Sequence, residues 1–144
     1  MMLFSAFADP ASQRPDSDLP SLTGKRALIA EDEGVTQHQI QRTLRRAGIV
    51  IVATVSNGAE AVEKTLKEKP ELVLMDIQMT PMDGLEAARR ILASFPTCIL
   101  MLTAFPEFEA QALALGCCGY LVKPINAALL LPQLQQALQR FYQH

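Results

Sequence analysis

A chain of 144 residues, 49% hydrophobic and 19% charged, is long enough for one domain with a single core. Its formal net charge of -2 excludes the electrostatic footprint of a nucleic-acid binder and a polybasic membrane patch. Charges of both signs are mixed, and no apolar run approaches the ~20 residues of a membrane span.

The first ten residues, MMLFSAFADP, contain Ala6-Phe7-Ala8, which looks like a signal-peptidase site. No basic residue precedes it, the first being Arg14, and the apolar stretch is short, so a cleaved signal is rejected and a cytoplasmic location expected. Residues 9–24, rich in Pro, Ser and Asp, read as the end of a flexible extension covering 1–24. The domain is expected to run from Lys25 to His144.

From Lys25 the pattern alternates. RALIA (26–30) is a short apolar run ending in acids. Residues 35–47 carry Val35, Ile40, Leu44 and Ala47 at roughly helical spacing, and Gly48 stops them. IVIVATV (49–55) is β-branched and reads as a strand; Asn57-Gly58 is a turn. Residues 59–69 read as a helix with Glu60/Lys64 and Glu63/Lys67 pairs. ELVLMD (71–76) is a strand after Pro70. Residues 84–94 are helical, with Leu85, Ala88, Ile91 and Leu92 on one face. CILML (98–102) is a strand, 107–115 a short helix ended by Gly116, GYLV (119–122) a strand, and 126–142 mostly helix. Pro132 falls inside that last segment and should kink it or mark its first turn.

Five β-α repeats with continuously apolar strands predict a parallel sheet covered on both faces: a three-layer, doubly wound α/β fold. Such sheets place their sites at the carboxyl ends of the strands. Those ends are Glu31-Asp32-Glu33, Ser56-Asn57, Asp76, Thr103 and Lys123-Pro124. Carboxylates converging there need compensation, which a hard divalent cation such as Mg²⁺ supplies through oxygen ligands. A lysine and a hydroxyl facing the same point suit a phosphoryl group, and an aspartate between them can accept it as an aspartyl phosphate. Each piece alone is commonplace: an acidic run is usually a solvated turn, and a Lys-Pro pair usually a turn. Their joint order on one β-α repeat is what points to phosphoryl transfer.

The motifs ALIAEDE, ELVLMDIQMTPMDGLEAAR, LTA and GYLVKP, spread from about Lys25 to Phe141, resemble the receiver domain of two-component response regulators. The resemblance implies a CheY-like, flavodoxin-like five-stranded sheet in the order 2-1-3-4-5. It makes Asp76 the phospho-acceptor, Asp32 a direct Mg²⁺ ligand, Glu31 an acid acting mostly through metal-bound water, and the Gln78 backbone carbonyl a third ligand. Thr103 and Lys123 become the phosphoryl-binding pair and Tyr120 a switch aromatic. The Lys123–Pro124 peptide is expected to be cis. A sensor histidine kinase or phosphotransfer protein becomes the donor, and the face of helix 4, strand 5 and helix 5 the output and a possible homodimer contact. Such a domain assists its own phosphorylation and dephosphorylation and is not a classical enzyme.

One departure stands out. The family usually has proline four residues after the acceptor; this chain has Thr80 there and Pro81 next. The Asp76-to-Gly84 spacing is kept, so the loop path should survive, with Thr80 retaining an N–H that proline lacks. A narrower resemblance, carried by ALIAEDE, LTAF and LLPQLQQALQRF, is to receivers of AmiR/NasT-type antiterminators, whose last helix continues toward an RNA-binding domain. Since the sequence ends three residues after Phe141, no output domain is expected in it and no direct nucleic-acid binding. The alternatives are the regulatory half of an antiterminator system, a partner-binding receiver that is never phosphorylated, and an unrelated Mg²⁺-dependent phosphatase or hydrolase.

Smaller features have plain readings. Cys98, Cys117 and Cys118 are odd in number and lack metal spacing, which suits a reducing compartment and small buried side chains, with a redox role for the adjacent pair as the alternative. Phe105 and Phe108 pack in the core or form a partner patch. His38 lies on the polar side of the first helix.

Overall fold

A computed structural model describes residues 19–142. The elements alternate without exception: β1 (Arg26–Ala30), α1 (Gly34–Arg46), β2 (Val50–Val55), α2 (Gly58–Glu68), β3 (Leu72–Met75), α3 (Gly84–Ser94), β4 (Cys98–Thr103), α4 (Glu109–Leu115), β5 (Gly119–Val122) and α5 (Ala127–Tyr142). The strands form one parallel sheet in the order β2-β1-β3-β4-β5. This is the doubly wound arrangement expected, with chain reversal on either side of β1.

Alternation of the strand side chains divides the core in two. Ala27, Ile29, Leu72, Leu74, Leu100 and Leu102 pack with Ile40 and Leu44 of α1 and Leu130, Leu134 and Leu138 of α5. Leu28, Ala30, Val73, Met75, Ile99 and Met101 pack with Ala61 of α2, Ala87, Ala88 and Ile91 of α3, and Ala112 of α4. Every residue of β3 and β4 is buried, which is why these strands are apolar without alternation.

Helix starts follow local chemistry. The side chains of Glu33, Asn57 and Asp83 accept hydrogen bonds from the N–H groups of Thr36, Glu60 and Glu86, so three helices are capped by residues that also leave a strand end or loop. Asn126 does the same for α5, accepting from Leu129 N–H at 2.9 Å.

The structure adds detail to this outline. Residues before Lys25 also pack on the domain: Leu22 is buried in the core, Gly24 N–H donates to Gly48 O at 2.7 Å, and Gln135 donates to Pro20 O at 3.3 Å. The rest of the supposed extension, and the signal-like Ala6-Phe7-Ala8, lie outside the described residues. The short helix at 107–115 is two pieces, a 3-10 turn at Pro106–Phe108 and then α4, because Pro106 suits a tight first turn. Pro132 is in the interior of α5, not its first turn.

Candidate functional site

β1 and β3 are neighbours, so their carboxyl ends deliver Glu31, Asp32 and Asp76 to one place. One carboxylate oxygen from each lies within 4.8 Å of the others. Glu31 and Asp76 are buried, at 1% and 6% exposure, and Asp32 is exposed. β5 brings Lys123 over the same point. Its Nζ donates to Glu31 Oε1 at 2.7 Å and to Asp76 Oδ2 at 3.1 Å. Two acids 45 residues apart in sequence thus share one ammonium. Lys123 is the internal counter-charge that makes their burial tolerable.

The charges tune one another. Burial pushes the Glu31 carboxyl up; the Lys123 hydrogen bond and the Glu33 N–H pull it back, the Asp76 charge pushes again, and the balance is upward. Burial works against the Lys123 ammonium, but the Glu31 hydrogen bond and the Asp76 charge outweigh it and its pKa is raised. The site therefore holds its lysine charged. The backbone completes the frame: Glu33 N–H donates to Glu31 Oε2 at 3.1 Å, Gln37 Nε2 to Glu31 O at 2.8 Å, and Gln78 N–H to Asp76 Oδ1 at 3.2 Å.

The loop after β3 explains how Asp76 leaves a buried strand into a tight turn. Ile77 and Met79 are buried while Gln78 and Thr80 are exposed, so the turn is anchored on alternate residues. Met79 and Gly84 N–H groups both donate to Ile77 O, at 3.1 and 2.8 Å. Gly58 N–H reaches across from α2 to Met82 O at 2.8 Å. A Cβ on Gly84 would lie 2.1 Å from Asp76 O, and one on Gly58 would lie 2.4 Å from Met82 O. Sequence reasoning took both glycines only as turn and helix-start signals; close backbone approach is their other role here. The Lys123–Pro124 peptide is cis, as the resemblance implied, and so is Thr80–Pro81, which the sequence did not suggest.

Thr103, fully buried at the end of β4, accepts from Phe105 N–H at 3.3 Å. Tyr120 is half-buried with its hydroxyl donating to Phe105 O, and burial raises its pKa. Phe105 and Phe108 are half-buried too; Phe108 reaches back to a cleft of about 520 Å³ that Asp32, Gln78 and Thr80 also line. His38 is exposed on α1. No helix among the described residues is long and apolar enough to cross a membrane.

A five-stranded 2-1-3-4-5 sheet carrying paired acids, an aspartate, a threonine and a lysine at its strand ends is the architecture of a receiver-type domain. Residues 27–135 match the family model of the response regulator receiver domain, and the chain belongs to that family. It is 37% identical over 129 residues to the transcriptional regulatory protein PdtaR of Mycobacterium tuberculosis, a match covering 88% of this chain and 63% of that protein. It is also 37% identical over 119 residues to a protein-glutamate methylesterase/protein-glutamine glutaminase of Archaeoglobus fulgidus, covering 80% of this chain and 34% of that one. The chain thus spans less than two thirds of either relative's length. Among solved structures, it superposes with a TM-score of 0.76 and 25% identity on the signal receiver domain of the response regulator NarL from Mycobacterium tuberculosis, covering 81% of this chain and 98% of that one. A chain of the CheX-CheY-BeF3-Mg²⁺ complex from Borrelia burgdorferi gives 0.73 and 26%, with coverage of 82% and 89%.

Proposed function

We propose that this receiver accepts a phosphoryl group on Asp76 from a sensor histidine kinase or phosphotransfer protein. One observation carries the reading: Lys123 bridges the buried Glu31 and Asp76 carboxylates while Asp32 completes a cluster of acids. In the transfer, an Asp76 carboxylate oxygen attacks phosphorus and the bond from phosphorus to the donor imidazole nitrogen breaks. The leaving imidazole keeps the bonding pair. Lys123 then pairs with a phosphoryl oxygen and Thr103 donates its hydroxyl to another.

Three carboxylates of which two are buried form an oxygen donor set suited to Mg²⁺. Asp32, Asp76 and the Gln78 carbonyl would hold the ion, with Glu31 acting mostly through water. The Mg²⁺ in the Borrelia burgdorferi CheY complex supports this choice. When bound, the ion neutralises charge that the incoming phosphoryl adds. Thr103 and Tyr120 then change partners, which alters the α4–β5–α5 face and the contacts, self-association included, that it makes. The protein acts in the cytoplasm and assists its own phosphorylation and dephosphorylation.

Incubation with acetyl phosphate and Mg²⁺ should label the wild-type chain with a hydroxylamine-labile phosphoryl group, and Asp76→Asn should not label. Persistence of the label in Asp76→Asn would remove the assignment. A second reading, regulation of an RNA-binding antiterminator output, is supported by the transcriptional regulator relative that extends beyond this chain's match. RNA-hairpin gel shifts with and without the phosphoryl group test it; direct binding by this chain counts against the regulatory-half form.

A further inference from the structure

The end of the sheet remote from Asp76 carries a second cluster of reactive groups. Cys98 opens β4 and is fully buried; Cys118 directly precedes β5 and is half-buried. Both belong to the core between the sheet and α5, whereas Cys117 turns to the opposite face. Cys118 N–H donates to Ile99 O at 2.8 Å, which puts the two segments at ladder spacing. Cys118 therefore lies diagonally across from Cys98, one residue off along β4, and a ladder spacing of about 4.8 Å combined with a rise of about 3.3 Å gives a Cα separation of about 6 Å, within the roughly 4.4–6.8 Å that a disulfide spans. All three cysteines are free thiols.

The surroundings suit a nucleophilic thiol. A groove of about 620 Å³ opens here, lined by Pro96, Leu113, Phe141 and Tyr142 and reaching Cys117, Cys118 and Arg140. The Arg140 guanidinium donates to the Cys118 carbonyl, so a cation is held at the backbone of Cys118. The neighbouring Cys98 thiol first, and the Arg140 charge with it, lower the Cys118 pKa against the effect of burial. The same thiol pairing and burial push Cys98 up, and burial pushes Cys117 up to about 12. One half-buried thiol disposed to ionise, one buried thiol beside it and one bystander are thus distinguishable.

We propose that Cys118 and Cys98 are a peroxide-reactive pair that closes to an intramolecular disulfide. The Cys118 thiolate attacks one oxygen of hydrogen peroxide. The O–O bond breaks, hydroxide leaves and takes a proton to become water, and Cys118 becomes a sulfenic acid. The Cys98 sulfur then attacks the Cys118 sulfur; the S–O bond breaks and the hydroxyl leaves as water with the Cys98 proton. In total two thiols are oxidised and one peroxide is reduced, giving one disulfide and two waters. The link ties β4 to β5 at the ends opposite Thr103 and Lys123.

The test uses the full chain. After brief hydrogen peroxide treatment and alkylation, digestion at glutamate separates Cys98 from Cys117 and Cys118 at Glu107 and Glu109. Mass spectrometry should find the Cys98–Cys118 link in wild type and in Cys117→Ser. Cys98→Ser should instead accumulate a dimedone adduct on Cys118, and in wild type at neutral pH iodoacetamide should modify Cys118 about tenfold faster than Cys117. Failure of the wild-type chain to form the link, or a link through Cys117 in its place, overturns the proposal without recourse to any variant's folding.

Discussion

Replacing Gly84 with alanine should loosen the loop after β3 more than any propensity argument allows. Alanine is the better helix former by about 1 kcal/mol in a helix interior, so a purely local view expects stabilisation. The structure reverses the sign. The new Cβ would lie 2.1 Å from Asp76 O, 2.9 Å from Asp76 C and 3.0 Å from Ile77 Cα, where real Cβ atoms essentially never come within 3.0 Å. Backbone must therefore yield by about 1 Å, and it is the backbone of Asp76 itself. Overpacking of this kind costs about 1–3 kcal/mol. With the propensity gain reduced at a helix's first turn, a net loss of about 2 kcal/mol is expected, a fall of roughly 8 °C in Tm for a domain of this size. Because the displaced atoms flank Asp76, acetyl phosphate labelling should slow in parallel. Thermal denaturation by circular dichroism gives the first quantity and a labelling time course the second. An unchanged or raised Tm would refute the reasoning, since it would mean that the Asp76–Gly84 contact is not close-packed.

Other perturbations probe different parts of the molecule. Thr65 is fully buried in α2 and its hydroxyl has no partner among the described residues; Thr65→Val should stabilise by about 1 kcal/mol in urea titration, and destabilisation would show that the hydroxyl is satisfied. Leu22→Ala should cost at least about 2 kcal/mol if the residues before β1 are part of the core, and a neutral result would return the boundary to Lys25. The Glu86 carboxyl, hydrogen-bonded by Arg89 and Arg90, is lowered to about 2 from 4.5. A depressed acid contributes stability above its unfolded pKa that is lost as pH falls through the folded one. The Tm advantage of wild type over Glu86→Gln should therefore shrink between pH 5 and about pH 2, and shrink with salt because the pair is exposed. A pH-independent difference would contradict it.

What could be read in the sequence was what local pattern encodes. β1 and β5 have the bounds that RALIA and GYLV suggested, since short apolar runs between breakers leave little choice. Glu31, Asp32 and Asp76 converge because β1 and β3 are adjacent, and Lys123 reaches them from the end of β5 across β4, so listing the residues at strand ends found them. What was not legible depends on distant partners. Leu22 sits in a Pro- and Ser-rich stretch whose composition says loop, and composition does not register one leucine inserted into a core. Gly58 and Gly84 look like ordinary helix starts until α2 and α3 are laid against the loop. Cys98 and Cys118 are twenty residues apart, so the sequence drew the eye to Cys117–Cys118, whose side chains face opposite layers.

The two clamping glycines also divide the receiver mechanically. The turn after Asp76 is wedged between α2 and α3 with no room for a methyl group, and it behaves as a fixed abutment. Across the site, Ala104–Glu109 is mostly exposed, and neither the 3-10 turn nor α4 has a capping side chain. Load applied at Asp76 is thus borne on one side and yielded to on the other. Insertions or fusions meant to report on changes at the site belong in the yielding segment, whereas one added residue between Asp76 and Gly84 would break the abutment.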